Sequence, residues 1–418
     1  MDKIKVVWIC HLSNSQIREH LKFDKWTPLA LIRRILGKSD ISDFAVWNTN
    51  GIREFAKFED IELHIVAPHY HISGIQEFQI DGIHYHFFES EDDNLLHLIK
   101  SKITKKIKTA YNKNSDLIAQ LVAKINPNII HLIGAENPYY GESALSLSRH
   151  IPLVVELQTL LNDQCFLDSY PLSIEVYNYR SKVEAQILKR ADYIGTRGDI
   201  LKNKVISNIC PTAKFLNIAL AVGVDVDLRE TTKLYDFVYF AADISKAVDH
   251  AIESFAVAKK SFPDITLHVV GGYSNAYFDT LIDRMRELGL GDEVDFTGKL
   301  PSYDDVIAEV RKARFALLPL KVDLVSGTIR EAMANGLPVV TSKTPATPKL
   351  NEVRESVLLS DIGDFQAMAD NMLKLLSDQN TSELLRENGA RTVAERYSNA
   401  AFMQEWRDNY HAILNNER

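Results

Sequence analysis

An α/β architecture with two doubly wound parallel sheets in tandem follows from three observations on the 418-residue chain. Short β-branched runs alternate with longer helical periods almost from end to end, as in a parallel sheet with crossover helices. The alternation stops near Val222 to Lys233, where VGVDVDLRETTK is polar and lacks a sustained period, and then restarts. At about 150 residues per domain, a chain of this length holds two or three separate cores.

In the first half, strands are predicted at Ile4 to Cys10, Ile61 to Ala67, Ile129 to Ile133, Leu153 to Leu157 and Tyr193 to Gly195, with helices over Asp116 to Lys124 and Val183 to Arg190. The second half continues with strand Phe237 to Phe240, helix Val248 to Ser261, strand Thr266 to Val270, helix Ala276 to Leu288 and strand Val294 to Thr297. Helix Tyr303 to Lys312, strand Phe315 to Leu318, a helix from about Gly327 to Asn335 and strand Pro338 to Thr341 complete it. At the end, Phe402, Trp406, Tyr410 and Leu414 recur every four residues and predict a helix with one bulky stripe over Ala400 to Leu414.

Charged residues make up 25% of the chain and hydrophobic residues 46%, so neither disorder nor a fibrous repeat is expected. The formal charge of −8 argues against a general nucleic-acid coat. Residues 1–222 are near neutral, with 26 Lys and Arg against 25 Asp and Glu, whereas residues 223–418 carry 22 against 31. Three dispersed cysteines, Cys10, Cys165 and Cys210, fit a reducing compartment. With neither a signal-peptide pattern nor an apolar run of about 18 residues, a cytoplasmic protein is expected.

Ligands of open parallel sheets bind beyond the carboxyl ends of the strands, so residues just after strands are the candidates. The most informative stretch is LLPLKVDLVSGTIREAMANGLPVVTS, from Leu317 to Ser342. A buried strand ends at Pro319; a loop carries Asp323 and the small trio Ser326, Gly327 and Thr328; a helix follows, stopped by Gly336 and Pro338. The helix start offers free amides and the positive end of a dipole, which suits a phosphate. Glu331, one turn in, has the reach and the acceptors for the two hydroxyls of a ribose. Thr328 to Glu331 equally fits a capping box, S/T-x-x-E.

This stretch resembles the acid-x7-Glu signature of retaining GT-B glycosyltransferases, in particular glycosyltransferase family 4. The family's Glu-Ala-Met-Ala-x-Gly-x-Pro-Val-Val tail is matched from Glu331 to Val340. The resemblance covers most of residues 237–342 and, more weakly, NPNIIHLIG, IPLVVEL and KRADYIGT of the first half. It implies a GT-B fold of two Rossmann-like domains facing across a cleft. Residues 1–222 would be the acceptor-side domain and 223–398 the nucleotide-sugar donor domain, with 399–418 a helix returning to the first.

Carried over residue by residue, the resemblance implies that Glu331 holds the donor ribose and Asp323 the donor sugar. The amides of Gly327, Thr328 and Ile329, beside Ser326, would hold the diphosphate. Lys246 would neutralise charge on the leaving group, the backbone at Lys299 and Leu300 would meet the base, and Gly271 and Gly272 would line the donor cleft. The expected reaction is metal-independent, retaining transfer of a sugar from a nucleotide donor, UDP- or GDP-linked, to a saccharide or polyprenyl-linked acceptor in surface polysaccharide or glycoconjugate synthesis. No cofactor is expected. A sugar-nucleotide 2-epimerase and a catalytically impaired binding module are the alternatives.

Three departures stand out. The arginine that usually precedes the lysine is absent from FAADISK, and Arg197 and Arg330 are the steric substitutes considered. The first acid is Asp323 rather than Glu. Gln158 stands where the family often has His.

His11, just past the first strand, with Ser13 and Asn14 beside it, is placed with Gln158 and Arg197 as an acceptor-side candidate. Ten of the thirteen histidines precede residue 151. Of these, His84 and His86 share a strand face, but no Cys or carboxylate cluster has matching spacing, so no metal is expected, and surface or partner-contacting positions are expected for these and for His69 and His71. In IKSKITKKIKTAY, Lys100, Lys102, Lys105, Lys106 and Lys108 interleave an apolar stripe. This reads as an amphipathic helix on the sheet, or as a peripheral contact with the inner membrane face.

Overall fold

The structure, a computed structural model, describes residues 3–24, 43–91, 111–162, 173–221, 225–241, 247–321 and 327–416. Strands β1 (Ile4–Ile9), β2 (Ile61–His69), β3 (Ile75–Ile80), β4 (Ile83–Glu89), β5 (Ile129–Ile133), β6 (Leu153–Glu156), β7 (Tyr193–Gly195) and β8 (Phe215–Leu216) form one sheet. Its order is β3-β4-β2-β1-β5-β6-β7-β8, parallel throughout except for the β3–β4 pair. The strands nearest the middle are apolar on both faces because helices cover both: β5 is fully buried, as are Val6 to Ile9 of β1. The helices are α1 (Ser15–His20), α2 (Val46–Phe55), α3 (Asn112–Ile125), α4 (Pro138–Gly141), α5 (Ile174–Arg190) and α6 (Asp199–Asn208).

The second sheet contains β9 (Tyr235–Phe240), β10 (Leu267–Val270), β11 (Val294–Gly298), β12 (Ala313–Leu318), β13 (Val339–Ser342) and β14 (Leu358–Ser360) in the order β11-β10-β9-β12-β13-β14, all parallel. Its helices are α7 (Val248–Lys259), α8 (Asn275–Glu287), α9 (Tyr303–Val310), α10 (Gly327–Ala334), α11 (Phe365–Ser377) and α12 (Gln379–Arg396). Numbered within the unit, the strand order is 3-2-1-4-5-6. Connections leave in opposite directions at β9 and β12, which opens a ligand crevice beyond their carboxyl ends.

Contacts gather the chain into two units, Met1–Ala221 with Asn399–Arg418, and Val222–Ser398. The last helix, α13 (Asn399–Asn416), therefore belongs to the first unit. Its stripe is anchored there: the Trp8 indole packs at a tilt against Trp406, ring centroids 5.1 Å apart, and donates to the Tyr410 hydroxyl at 2.9 Å. Tyr410 in turn donates to His131 Nδ1 at 2.6 Å, and burial holds His131 down at about 3, so it accepts as a neutral ring. Trp406 Nε1 donates to the Ala219 carbonyl. No helix among the described residues is long and apolar enough to cross a membrane.

Two differences from the sequence reading have physical causes. The β3–β4 hairpin was not predicted: its signal is the Asp81-Gly82 pair at φ +50° and +82°, a two-residue turn that needs both left-handed residues. Helix α5 starts nine residues before Val183, on a Ser173 cap that accepts from the Val176 amide, and its first turns are largely exposed. The histidine expectation also fails in part. His69 and His86 are buried, His69 among Phe23, Phe44 and Phe87. The lysine run from Lys100 to Lys108 lies outside the described residues.

Candidate active site

In the second unit, β12 ends at Leu318 and α10 starts at Gly327; Asp323 and Ser326 lie between, outside the described residues, as does Lys246 before α7. Helix α10 is fixed from behind. Ile329, Ala332, Met333 and Ala334 are buried, and Gly336 at φ +70° closes the helix so tightly that a Cβ there would meet Leu228 at 2.9 Å. The partly exposed residues Gly327, Thr328 and Glu331 remain.

Glu331 is not left to solvent. The Tyr303 hydroxyl, at the first position of α9, is buried beside its carboxylate, and burial with that negative neighbour pushes the phenol far above its usual value. Tyr303 is itself held by the Ser302 cap and its reciprocal Asp305 contact. Since α9 follows closely on Lys299 and Leu300, this neighbourhood brings the loop after β11 to the acid on α10. No sequence spacing announced it, because the partners are 28 positions apart and meet only through the strand order.

The loop after β10 packs against the loop after β11. A Cβ on Gly272 would stand 2.6 Å from Lys299 Cβ and 3.1 Å from its Cα and N, while Gly271 bridges Gly298 and its amide donates to Thr297 Oγ1 at 3.3 Å. Tyr273 donates to the Ala241 carbonyl at 2.8 Å, linking this corner to the end of β9. Gly272→Ala is therefore expected to push the two loops apart, costing about 1–3 kcal/mol. Thermal unfolding of the variant would show the loss; an unchanged midpoint would refute the close packing.

Arg330 is buried and lies over the Tyr397 ring at 4.9 Å. Arg197 pairs with Glu405 and covers Phe402 at 4.3 Å, all within the first unit. Both guanidiniums are thus engaged in packing. Lys321, just past β12, pairs with Asp249 of α7 at 2.6 Å.

At the carboxyl edge of the first sheet, Ser13 and Asn14 serve local structure. Ser13 Oγ accepts from Arg18 and contacts His69 Nε2, while Asn14 caps α1 by accepting from the Ile17 amide. The other candidates keep uncommitted atoms: His11 Nδ1 and Gln158 Nε2 are buried without a partner among the described residues. His11 lies against Phe44, Tyr139 and Tyr140, and burial lowers it to about 4. Two acids that sequence reasoning passed over join them. Glu136 follows β5, Glu156 ends β6, and each has a buried Oε2 without a partner among the described residues. Burial raises Glu136 to about 7 and Glu156 well above its ordinary value, the latter reinforced by Glu136. Glu184 accepts from the Leu161 and Asn162 amides and so secures the chain after Gln158.

The family model for Glycosyl transferases group 1 matches residues 228–392, within the second unit. Over residues 228–392 the chain is thus similar to group 1 glycosyltransferases. The whole chain is similar to sucrose-phosphate synthase from Thermosynechococcus elongatus, with a TM-score of 0.70 at 16% identity over 99% of this chain and 100% of that one. It is also similar to HepE of Anabaena, solved in complex with UDP and glucose, with a TM-score of 0.64 at 14% identity over 98% and 100% of the two chains. These likenesses establish the GT-B fold. Among curated proteins, N-acetyl-alpha-D-glucosaminyl L-malate synthase of Bacillus anthracis is 23% identical over 41% of this chain and 44% of its own length. The chain thus spans less than half the length of that relative. In the second unit, Glu331, Tyr303 and the Gly271–Gly272 corner all stand at the carboxyl ends of the strands, around the β9/β12 switch point.

Proposed function

We propose that the chain transfers a glycosyl group from a nucleoside-diphosphate sugar to a hydroxyl of a saccharide or lipid-linked acceptor, with retention and without a metal. The observation that carries this is Glu331, beside the buried Tyr303 hydroxyl and one turn into the helix that leaves the switch point. In that position it accepts from both ribose hydroxyls, while the α10 amides at Gly327, Thr328 and Ile329 receive the diphosphate. Lys299 and Leu300 meet the base, and Asp323 the sugar. Departure of the diphosphate adds about one negative charge, which Lys246 and the oriented amides stabilise. Retention is assigned to front-side substitution, in which the leaving phosphate oxygen takes the proton of the attacking hydroxyl as the new bond forms on the same face. His11, Glu136 and Gln158, with polar atoms free to pair, are assigned to the acceptor. UDP-sugar is the favoured donor, supported by HepE, which was solved with UDP and glucose. The reaction is placed in the cytoplasm.

A thermal-shift panel of UDP-, GDP-, ADP- and CMP-sugars tests the donor site, since a ligand bound only by the native state raises the midpoint. One nucleotide class is expected to shift it, at roughly 2.7 kcal/mol for a concentration 100-fold above Kd. No shift with any of them refutes the reading. A new sugar nucleotide formed from donor alone would reveal an epimerase instead.

A further inference from the structure

We propose a binding site for a divalent transition-metal ion of the zinc type at the opposite, amino end of the first sheet, formed by Glu62, His64 and His84. One ligand atom from each lies within 4.8 Å of the other two. Glu62 and His64 sit two apart on β2 and share a face, and His84 stands directly opposite His64 on β4. Glu62 Oε1 and His64 Nε2 are already 2.8 Å apart, and the His64 and His84 rings stack at 4.5 Å. Zinc–ligand bonds of about 2.0–2.1 Å need donor atoms roughly 3.3 Å apart. The half-exposed His84 ring supplies the remaining adjustment by turning about its side-chain torsions.

The support behind these residues is what distinguishes them from a surface cluster. His64 Nδ1 contacts His86 Nε2 at 3.0 Å, His86 Nδ1 contacts Glu77 Oε1 at 2.7 Å, and Glu77 pairs with Lys124 of α3. His64 and His86 are buried. Making every contact from Glu62 to Glu77 a hydrogen bond takes three protons on two imidazoles, one more than two neutral rings carry. A cation in place of the proton between Glu62 and His64 resolves the count. His64 then donates from Nδ1 to His86, His86 donates from Nδ1 to Glu77, and both rings are neutral. A ligating imidazole whose other nitrogen is held through a carboxylate is the usual support of a zinc ligand. Lys5, 3.6 Å from Glu62, is the cation that competes for the same carboxylate.

The ion would join β2 to β4, and through His86 and Glu77 to the antiparallel edge strand β3, at the sheet end away from His11 and Glu136. It is thus a clamp on the hairpin, independent of the proposed transfer. The chemistry was hidden in the sequence because Glu62 and His64 are some 20 residues from His84, and only the β2–β4 register brings them together.

Isothermal titration of the full chain, freed of metal with EDTA, against zinc chloride decides it. The expected result is one equivalent of zinc that is absent in both Glu62→Gln and His84→Ala. In Glu77→Gln, which touches no ligand position, the same equivalent should bind about 10–100-fold more weakly. Circular dichroism of each variant in EDTA confirms the fold, and Glu62→Gln keeps the side-chain shape should His84→Ala fail to fold. Absence of zinc binding by the parent, or an unchanged equivalent in Glu62→Gln, would overturn the site.

Discussion

Replacing Glu331 by alanine is expected to lower kcat/KM for the sugar nucleotide by about 100- to 10,000-fold while leaving the fold intact. Two hydrogen bonds from the ribose diol to an ionised carboxylate contribute about 1.5–3 kcal/mol each, and a factor of ten in rate is about 1.4 kcal/mol. The side chain is partly exposed and lies on the accessible side of α10, whose packing face is Ile329, Ala332, Met333 and Ala334, so its removal opens no cavity in the core. Tyr303→Phe separates orientation from contact. It removes the hydroxyl beside the carboxylate but leaves both acceptors, so a smaller loss of about 5- to 10-fold is expected. Donor-consumption kinetics on the two variants and the parent provide the check. Parent-like kcat/KM in Glu331→Ala would remove the ribose assignment, and with it the reading of α10 as the donor helix.

The contrast between Glu331 and Tyr303 shows what a sequence makes legible. Glu331 could be found because its function depends on a contiguous piece of backbone: a strand end, a loop, a helix start and the Gly336 stop. Tyr303 acts on the same carboxylate from another helix, and nothing near it in the chain marks it apart from the first position after a Ser cap. The parallel strands were legible for a similar reason. Buried over most of their length, β1, β5 and β9 read as near-continuous apolar runs, whereas β3, IQEFQI, is only half-buried and antiparallel, and its signal is the Asp81-Gly82 turn. Glu136 and Glu156 show the same limit from the chemical side. Each is an ordinary acid at a strand end until the β5–β6 pairing places them together, away from water.

That crowding predicts an unusual pH dependence. The Glu136 carboxylate is enclosed, with Glu184 nearby, and burial first and that second charge next raise it from 4.5 to about 7. A carboxyl whose folded pKa lies above its unfolded one binds more protons in the native state. Its contribution is therefore complete below pH 4.5 and is lost as pH rises toward and through 7. Glu136→Gln keeps the shape, and its side-chain oxygen can still accept from Asn137, but it has no proton to lose. The variant is expected to match the parent near pH 4.5 and to exceed it at pH 8 by up to about 3 kcal/mol, since one pKa unit corresponds to 1.36 kcal/mol. The buried neutral histidines His11, His69 and His131 destabilise both proteins as pH falls, and so cancel in the difference. Urea unfolding of parent and variant at the two pH values measures it. A difference of the same size at both would mean that Glu136 is ionised in the native state throughout. A gain confined to high pH, joined to a loss of transfer, would mean that the acid is kept at the strand end for a ligand rather than for the fold, the trade-off expected where activity needs a group the core does not favour.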